Sequence, residues 1–350
     1  MDITKIDPNF KSASACFENM VTYNALSHPF KIKGVSFDGE KFVRMPTAVA
    51  QTVSNGVFKL HSNTSGGRIR FLSDSQKITL TAILPDITVF KHMPQSGVSS
   101  FDLYVGDDYR GFFSCDYVLR DDGLYEGSAT LDLKTRDMHD ITINFPLYNN
   151  VSAVFISLEK DSNLEKPKPE KFEKPIVYYG SSITQGGCAS HAGNAYQNII
   201  SRRLSTNFIN LGFSGSCLAE ANMIDYLSTL DMSIFVYDYD HNAGSYELLQ
   251  NTHEKGFKRF REKRPDVPVI MITSADISTD REKRINIIRT TYENAIRSGD
   301  KNVYFINGDD IYKPVGKQYC TVDKCHPNDL GFYCMANIIG KTIERILEEK

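Results

Sequence analysis

Hydrophobic and polar positions follow two different rhythms along this chain. Up to about residue 160 the apolar residues come in short runs, several of which alternate with polar ones and are bounded by turn residues. Such runs lie at 68–72, 77–83, 100–105, 109–113, 128–133, 140–145 and 151–157, and Ser54-Asn-Gly56 leads into another at 57–61. Alternation with a period of two puts one face of a strand in a core and the other in water. Many short strands at near-regular spacing predict an all-β sandwich or jelly roll over residues 1–160. Residues 161–174 are charged, aperiodic and proline-bearing, which predicts a fairly stiff linker.

From residue 175 to 350 the rhythm becomes strand, loop, helix. Strand-like runs lie near 176–179, 208–213, 232–238, 267–273 and 302–307. Helical periodicity covers 194–204, 219–230, 246–263, 281–298 and 330–348, with Gly256 inside the third helix at some cost. Strands alternating with helices predict a parallel sheet covered on both faces, so the fold class is α/β.

Composition adds mainly exclusions. The chain is 350 residues long, 41% hydrophobic and 24% charged, with a net charge of −3. No basic stripe is present, so no nucleic-acid partner is expected. No apolar run is long enough for a membrane span, and Met1–Phe10 lacks the charged and apolar regions of a secretory signal. Seven scattered cysteines suit reduced thiols, and with them a cytoplasmic location.

Candidate chemistry collects where strands end. The run Ile176-Val-Tyr-Tyr179 breaks at Gly180-Ser181-Ser182, the second strand ends in Gly212 to Gly215, and the third ends near Asp240-His241-Asn242. A fourth polar cluster, Thr321-Val-Asp-Lys-Cys-His-Pro327, precedes the last helix. In a parallel sheet these strand ends share one rim, where ligands bind. A serine there is, taken alone, as well read as a turn or cap residue; its partners decide. His326 is placed to act as a base for Ser182, and Asp323, three residues earlier, to orient the imidazole. Backbone N–H groups of Ser182 and Gly215, with the Asn242 amide, are candidate oxyanion donors.

Gly180-Ser-Ser-Ile-Thr-Gln-Gly186, Asn210-Leu-Gly-Phe-Ser-Gly215, Tyr239-Asp-His-Asn242 and Asp323-Lys-Cys-His-Pro327 resemble the four ordered motifs of the SGNH (GDSL-type) hydrolases. The resemblance covers roughly residues 175–350. It implies a flavodoxin-like three-layer α/β/α domain, with the family's serine, glycine, asparagine, histidine and aspartate falling on Ser182, Gly215, Asn242, His326 and Asp323. The motif's usual aspartate before the nucleophile is replaced by Ser181, which is expected to alter local hydrogen bonding and not the proton acceptor. An amino-terminal β domain before such a domain resembles bacterial carbohydrate esterases and a natural-product acyltransferase.

The resemblance implies a serine esterase that hydrolyses a short-chain, acetyl-like O-ester through an acyl-enzyme on Ser182, with acylated carbohydrate the expected substrate (a small molecule or an oligosaccharide) and with no cofactor and no metal. Two alternatives stand beside it: an acyltransferase using the same triad, and a glycan-binding protein with an idle hydrolase domain. Several other residues have plainer readings. His326-Pro327 and Asn328 also suit the cap of the last helix, and His241 suits either substrate contact or a supporting role. Cys188, Cys217 and Cys325 are read as packing residues, and Asp309-Asp310 as a solvated strand end. Arg44, Arg68, Arg70 and His92 are the first half's only candidates for facing a ligand, and its loops either wall the neighbouring site or serve as scaffold.

Overall fold

The computed structural model describes residues 17–276 and 279–349. The segment Met1–Phe10, read above for a secretory signal, lies outside them. The chain forms two compact units. One takes the described residues of Met1–Met45 together with Ser62–Pro169 and His191–Gly193; the other takes Pro46–His61, Glu170–Ser190 and the described residues of Asn194–Lys350.

The first unit is a sandwich of two antiparallel sheets. One runs in the order Met20–Asn24, Ala153–Glu159, Lys77–Leu84, Tyr125–Asp132 and Val118–Leu119. The other runs Leu164–Glu165, Arg68–Ser73, His139–Asn144, Asp102–Val105 and Asp108–Phe112, with Lys31–Lys33 also pairing with Arg68–Ser73. Ile78, Leu80, Ala82 and Ile156 from the first sheet and Phe71, Leu103, Ile141 and Ile143 from the second meet in a single core, filled out by Phe42, Phe101 and Phe145. Strand Lys77–Leu84 buries its other face too. There Thr79 and Thr81 pair across to Thr130 (2.6 Å) and Ser128 (2.8 Å), which satisfies hydroxyls that burial would otherwise penalise. The predicted linker is partly ordered in sheets: Leu164–Glu165 pairs with Arg68–Ser73, and the strand Phe172–Gly180 begins before residue 175. Asp102, fully buried, accepts hydrogen bonds from His191 Nδ1 (2.7 Å), the Gly193 N–H (2.6 Å) and Asn144 Nδ2 (2.6 Å). Of the four ligand candidates, Arg44 and Arg68 are buried, Arg70 pairs with Asp140 at 3.3 Å, and His92 stands exposed against Phe90.

One prediction in this half is corrected. Residues 57–61 are not a strand: the chain forms two short helices, Thr47–Val53 and Asn55–Leu60, counted with the second unit. Ser54 caps the second, its hydroxyl accepting from the Val57 N–H at 3.2 Å. Val57 and His61 are buried while Phe58 and Lys59 are exposed, a spacing of four that suits a helix and reads as alternation only over so short a run.

The second unit is a five-stranded parallel sheet in the order Thr206–Gly212, Phe172–Gly180, Ile234–Asp238, Val269–Ile272 and Val303–Ile306. Ile234–Asp238 and Val269–Ile272 are buried along their whole length, as a sheet covered on both faces requires. Tyr196–Leu204 packs with Asp329–Glu348, while Ala221–Thr229, Tyr246–Lys263 and Arg281–Arg297 pack in succession as the other layer. No helix among the described residues is long and apolar enough to cross a membrane.

Gly256 has a packing reason. A Cβ at this position would lie 2.5 Å from the hydroxyl of Tyr237, itself buried in the strand beneath. Gly256→Ala therefore gains about 1 kcal/mol of helix propensity but loses about 1–3 kcal/mol to overpacking. Thermal unfolding is expected to show a net drop that disappears in a Tyr237→Phe background, where the hydroxyl is gone. A Gly256→Ala protein more stable than wild type would refute the contact.

Candidate active site

The sheet order decides where a site forms. Phe172–Gly180 lies between Thr206–Gly212 and Ile234–Asp238, so the chain leaves this central strand to one side and later returns on the other. A crevice opens at the carboxyl end of such a switch point. Ser182 follows the central strand, Gly215 follows Thr206–Gly212, and Asn242 closes a 3-10 turn, Asp240–Asn242, after Ile234–Asp238. All the predicted site residues belong to this unit.

Ser182 Oγ lies 2.8 Å from His326 Nε2, and His326 Nδ1 lies 2.7 Å from Asp323 Oδ2. The other oxygen, Asp323 Oδ1, accepts from the backbone N–H groups of Cys325 (3.1 Å) and His326 (2.7 Å). The spacing of three residues thus folds the loop around its own carboxylate, with Lys324 between them at φ 67. The loop is closed by a Thr321–Pro327 bridge and by the Val322 N–H donating to the His326 carbonyl at 2.9 Å. Burial pushes the Asp323 carboxyl up, but the bonds from the His326 N–H, its ring and the Cys325 N–H hold it down at about 2. An ionised Asp323 accepts only, so Nδ1 carries the proton and neutral Nε2 accepts from the serine hydroxyl. Asn328, not His326, caps the last helix: its Oδ1 accepts from the Gly331 N–H at 3.0 Å.

The serine loop is fixed from below. Ser181 Oγ accepts from the Ile183 N–H at 3.2 Å and caps the short helix Ser182–Gln185, so the residue standing where the motif has aspartate is a cap. The Thr184 carbonyl accepts from Gln197 Nε2 and Asn210 Nδ2, each at 2.7 Å. Gln185 Oε1 accepts from the Ser214 N–H (3.0 Å), and the Phe213 N–H donates to the Gly180 carbonyl (2.8 Å), which ties the Gly215 loop to the serine loop. Gly215 sits at φ 69, a left-handed conformation that costs glycine little. Asn242 Nδ2 spends one hydrogen on the Phe213 carbonyl (2.8 Å) and has a second to donate.

The turn carrying Asn242 is held by buried charge. Arg284 Nη1 donates to Asp240 Oδ1 (2.7 Å) and to the Asp240 carbonyl (3.0 Å), and Arg284 Nη2 to the Ala243 carbonyl (2.5 Å). Asp240 Oδ2 accepts from the Ser274 N–H at 2.9 Å. His241 is buried against Asp276, with 2.5 Å between Nε2 and Oδ1, which favours the supporting reading. Burial pushes the Cys188 thiol up to about 12 and Cys325 to about 11, and raises Cys217 as well, so none is poised as a thiolate. Arg281 donates to Asp309, and Lys313 lies 3.8 Å from Asp310, so both carboxylates face side-chain cations.

Residues 173–344 match the GDSL-like Lipase/Acylhydrolase family, and residues 20–164 match GxDLY, the N-terminus of Esterase_SGNH_hydro-type. The chain belongs to the GDSL-like lipase/acylhydrolase family. Asp102-Leu103-Tyr104 supplies the DLY of the amino-terminal match. A protein from Bacteroides ovatus described as a GDSL-like lipase is similar along nearly the whole chain, with 28% identity, 94% of this chain and 98% of that one covered, and a TM-score of 0.80. Two more distant structures share the fold. The salicylyl-acyltransferase SsfX3 from a tetracycline biosynthetic pathway has 16% identity and a TM-score of 0.73 over 92% of this chain and 96% of its own. A family two carbohydrate esterase from Clostridium thermocellum, in complex with cellohexaose, has 16% identity and a TM-score of 0.59 over 81% and 93%. No curated protein matches the chain.

As a GDSL-like acylhydrolase the chain is a carboxylic ester hydrolase with an additional set of polar residues around its motifs. Asp276, Arg284 and Gln197 were not singled out in the sequence. Their one visible signal is polarity or charge within otherwise regular elements or just past a strand end. Arg284 and Arg281 share one helix and make a sharp comparison. Arg284→Met strands a buried Asp240 and is expected to cost about 3–5 kcal/mol in urea unfolding. Arg281→Met, which loses a half-exposed partner, is expected to cost at most about 1 kcal/mol. Equal costs would show that the Asp240 clamp is not holding the turn.

Proposed function

We propose that this esterase hydrolyses a short-chain, acetyl-like O-ester on a carbohydrate through an acyl-enzyme on Ser182. The observation that carries the reading is the hydrogen-bonded chain from Ser182 Oγ through His326 to an ionised Asp323. Ser182 Oγ attacks the ester carbonyl carbon while its proton passes to His326 Nε2, and Asp323 holds the imidazolium. The negative oxygen that forms is received by the N–H groups of Ser182 and Gly215 and by the second hydrogen of Asn242. Collapse breaks the bond to the alcohol, which leaves with the proton from His326. Water then attacks the acyl-serine by the same route in reverse, releasing the acid and restoring the hydroxyl.

The carbohydrate assignment is supported by the fold shared with the carbohydrate esterase that holds cellohexaose. The fold shared with a salicylyl-acyltransferase favours a second reading, in which an acceptor alcohol replaces water in the last step. A chromogenic acetyl ester separates the central claim from its rivals. Ser182→Ala and His326→Ala are expected to lose at least about a thousandfold in kcat/KM. Asn242→Ala should lose about a hundred- to a thousandfold, the usual cost of one oxyanion donor. Turnover equal in wild type and Ser182→Ala would sink the assignment. Transfer product outrunning free acid when acceptor alcohols are added would turn it to the second reading.

A further inference from the structure

The Asp240–Asn242 turn carries a second histidine–carboxylate pair that the proposed mechanism does not use. His241 Nε2 lies 2.5 Å from Asp276 Oδ1, and the two side chains are 8% and 1% exposed. Among the described residues, Asp276 Oδ2 and His241 Nδ1 have no hydrogen-bond partner although both are buried. His241 also lines a cavity of about 10 Å³, shared with Asp238, Thr273 and Ile183, the neighbour of Ser182. That volume is at the lower edge of what holds one water. The cavity's wall is mostly apolar, with Ile272, Ile311 and Met335 among its residues, so the His241 imidazole and the Asp238 carboxyl group stand in a largely apolar surround beside Ile183.

The charges around the ring fix what it can be. A buried carboxylate needs a counter-charge, and losing that charge is costly. Of the nearby cations, Arg284 pairs with Asp240, and Lys317 Nζ donates to the Asp276 backbone carbonyl and not to its carboxylate. Asp238 and Asp240 add negative charge at the end of the same strand and on the same turn. From the other elements Tyr312 and Cys325 face Asp276 in their neutral forms, since burial raises both. His241 is the ionisable group hydrogen-bonded to the Asp276 carboxylate, and so its nearest counter-ion.

We propose that His241 is a positioning residue: as an imidazolium bonded to Asp276 and facing the Asp238 cavity, it fixes the turn that aims the Asn242 amide at the developing oxyanion. The proposal rests on the esterase reading given above. Burial opposes the charge on His241, but the Asp276 hydrogen bond and the charges of Asp276, Asp238 and Asp240 outweigh it, so its pKa stands above the ordinary histidine value. The charged form is present below that raised pKa and is lost as pH rises through it. Burial also pushes the Asp238 carboxyl up to about 7, so the charge it presents to the ring itself changes across neutral pH.

The test is the pH profile of kcat for the full chain on an acetyl ester, read beside a nitrogen NMR titration of His241. Wild type should lose activity on the alkaline side, above the ordinary histidine range, with the NMR midpoint of His241 coinciding. Asp276→Asn keeps an acceptor but removes the charge, and should move that alkaline limb down by about 1 to 3 pH units. His241→Gln should abolish the limb and lower kcat about ten- to a hundredfold, with KM nearly unchanged, as a misaimed donor does. A limb unmoved by both variants, one that follows only Asp238→Asn, or a His241 that titrates at or below the ordinary value would overturn the proposal. Turnover that is the same in wild type and in Ser182→Ala would instead overturn the esterase reading, so the two failures are distinguishable.

Discussion

The hydrogen bond between Ser182 and His326 joins side chains 144 residues apart at 2.8 Å, and the local structure at both ends is arranged around keeping that distance. Neither residue can hold it alone. The serine sits at the start of a four-residue helix and the histidine in an irregular loop, both too short to be rigid by themselves. On the serine side, rigidity comes from the sheet: Phe172–Gly180 is flanked by strands on both sides, and the Thr184 carbonyl takes two buried side-chain donors. On the histidine side it comes from a single carboxylate that bonds two backbone N–H groups and the ring together.

The third strand end is held differently. Its turn is clamped by charged pairs, Asp240 with Arg284 and His241 with Asp276, both buried. Buried ion pairs are weak contributors to net stability because desolvation offsets their attraction, but breaking one is expensive. Such pairs therefore suit a place where one geometry must be held against close alternatives. Asn242 is such a place: one amide hydrogen goes to the Phe213 carbonyl, and the proposed function needs the other. Two clamps on a three-residue turn are a large investment of buried charge at one strand end.

The large outline was legible in the sequence because it depends on periodicity. The parallel strands and the helix Tyr246–Lys263 stand where period-two, fully apolar and helical patterns put them. The motif loops were legible because each is short and local: the carboxylate and histidine of Asp323-Lys-Cys-His326 form their bond across three residues. What was not legible depends on tertiary contact. Arg284 and Asp276 reach the Asn242 turn from 44 and 35 residues away, and nothing in their neighbours marks them. Residues 57–61 were read as a strand because five residues contain too little pattern to separate period two from period 3.6. Ser181 was expected to change local hydrogen bonding, and that its hydroxyl caps the following turn became visible only with the Ile183 N–H in place.

The central claim is that one serine, and not its neighbour, carries the acyl group. Labelling with a fluorophosphonate followed by peptide mass spectrometry reads this directly. The account predicts one adduct per chain, on Ser182, absent when His326 is replaced by alanine. An adduct on Ser181, or ester turnover that continues after complete labelling, would contradict it.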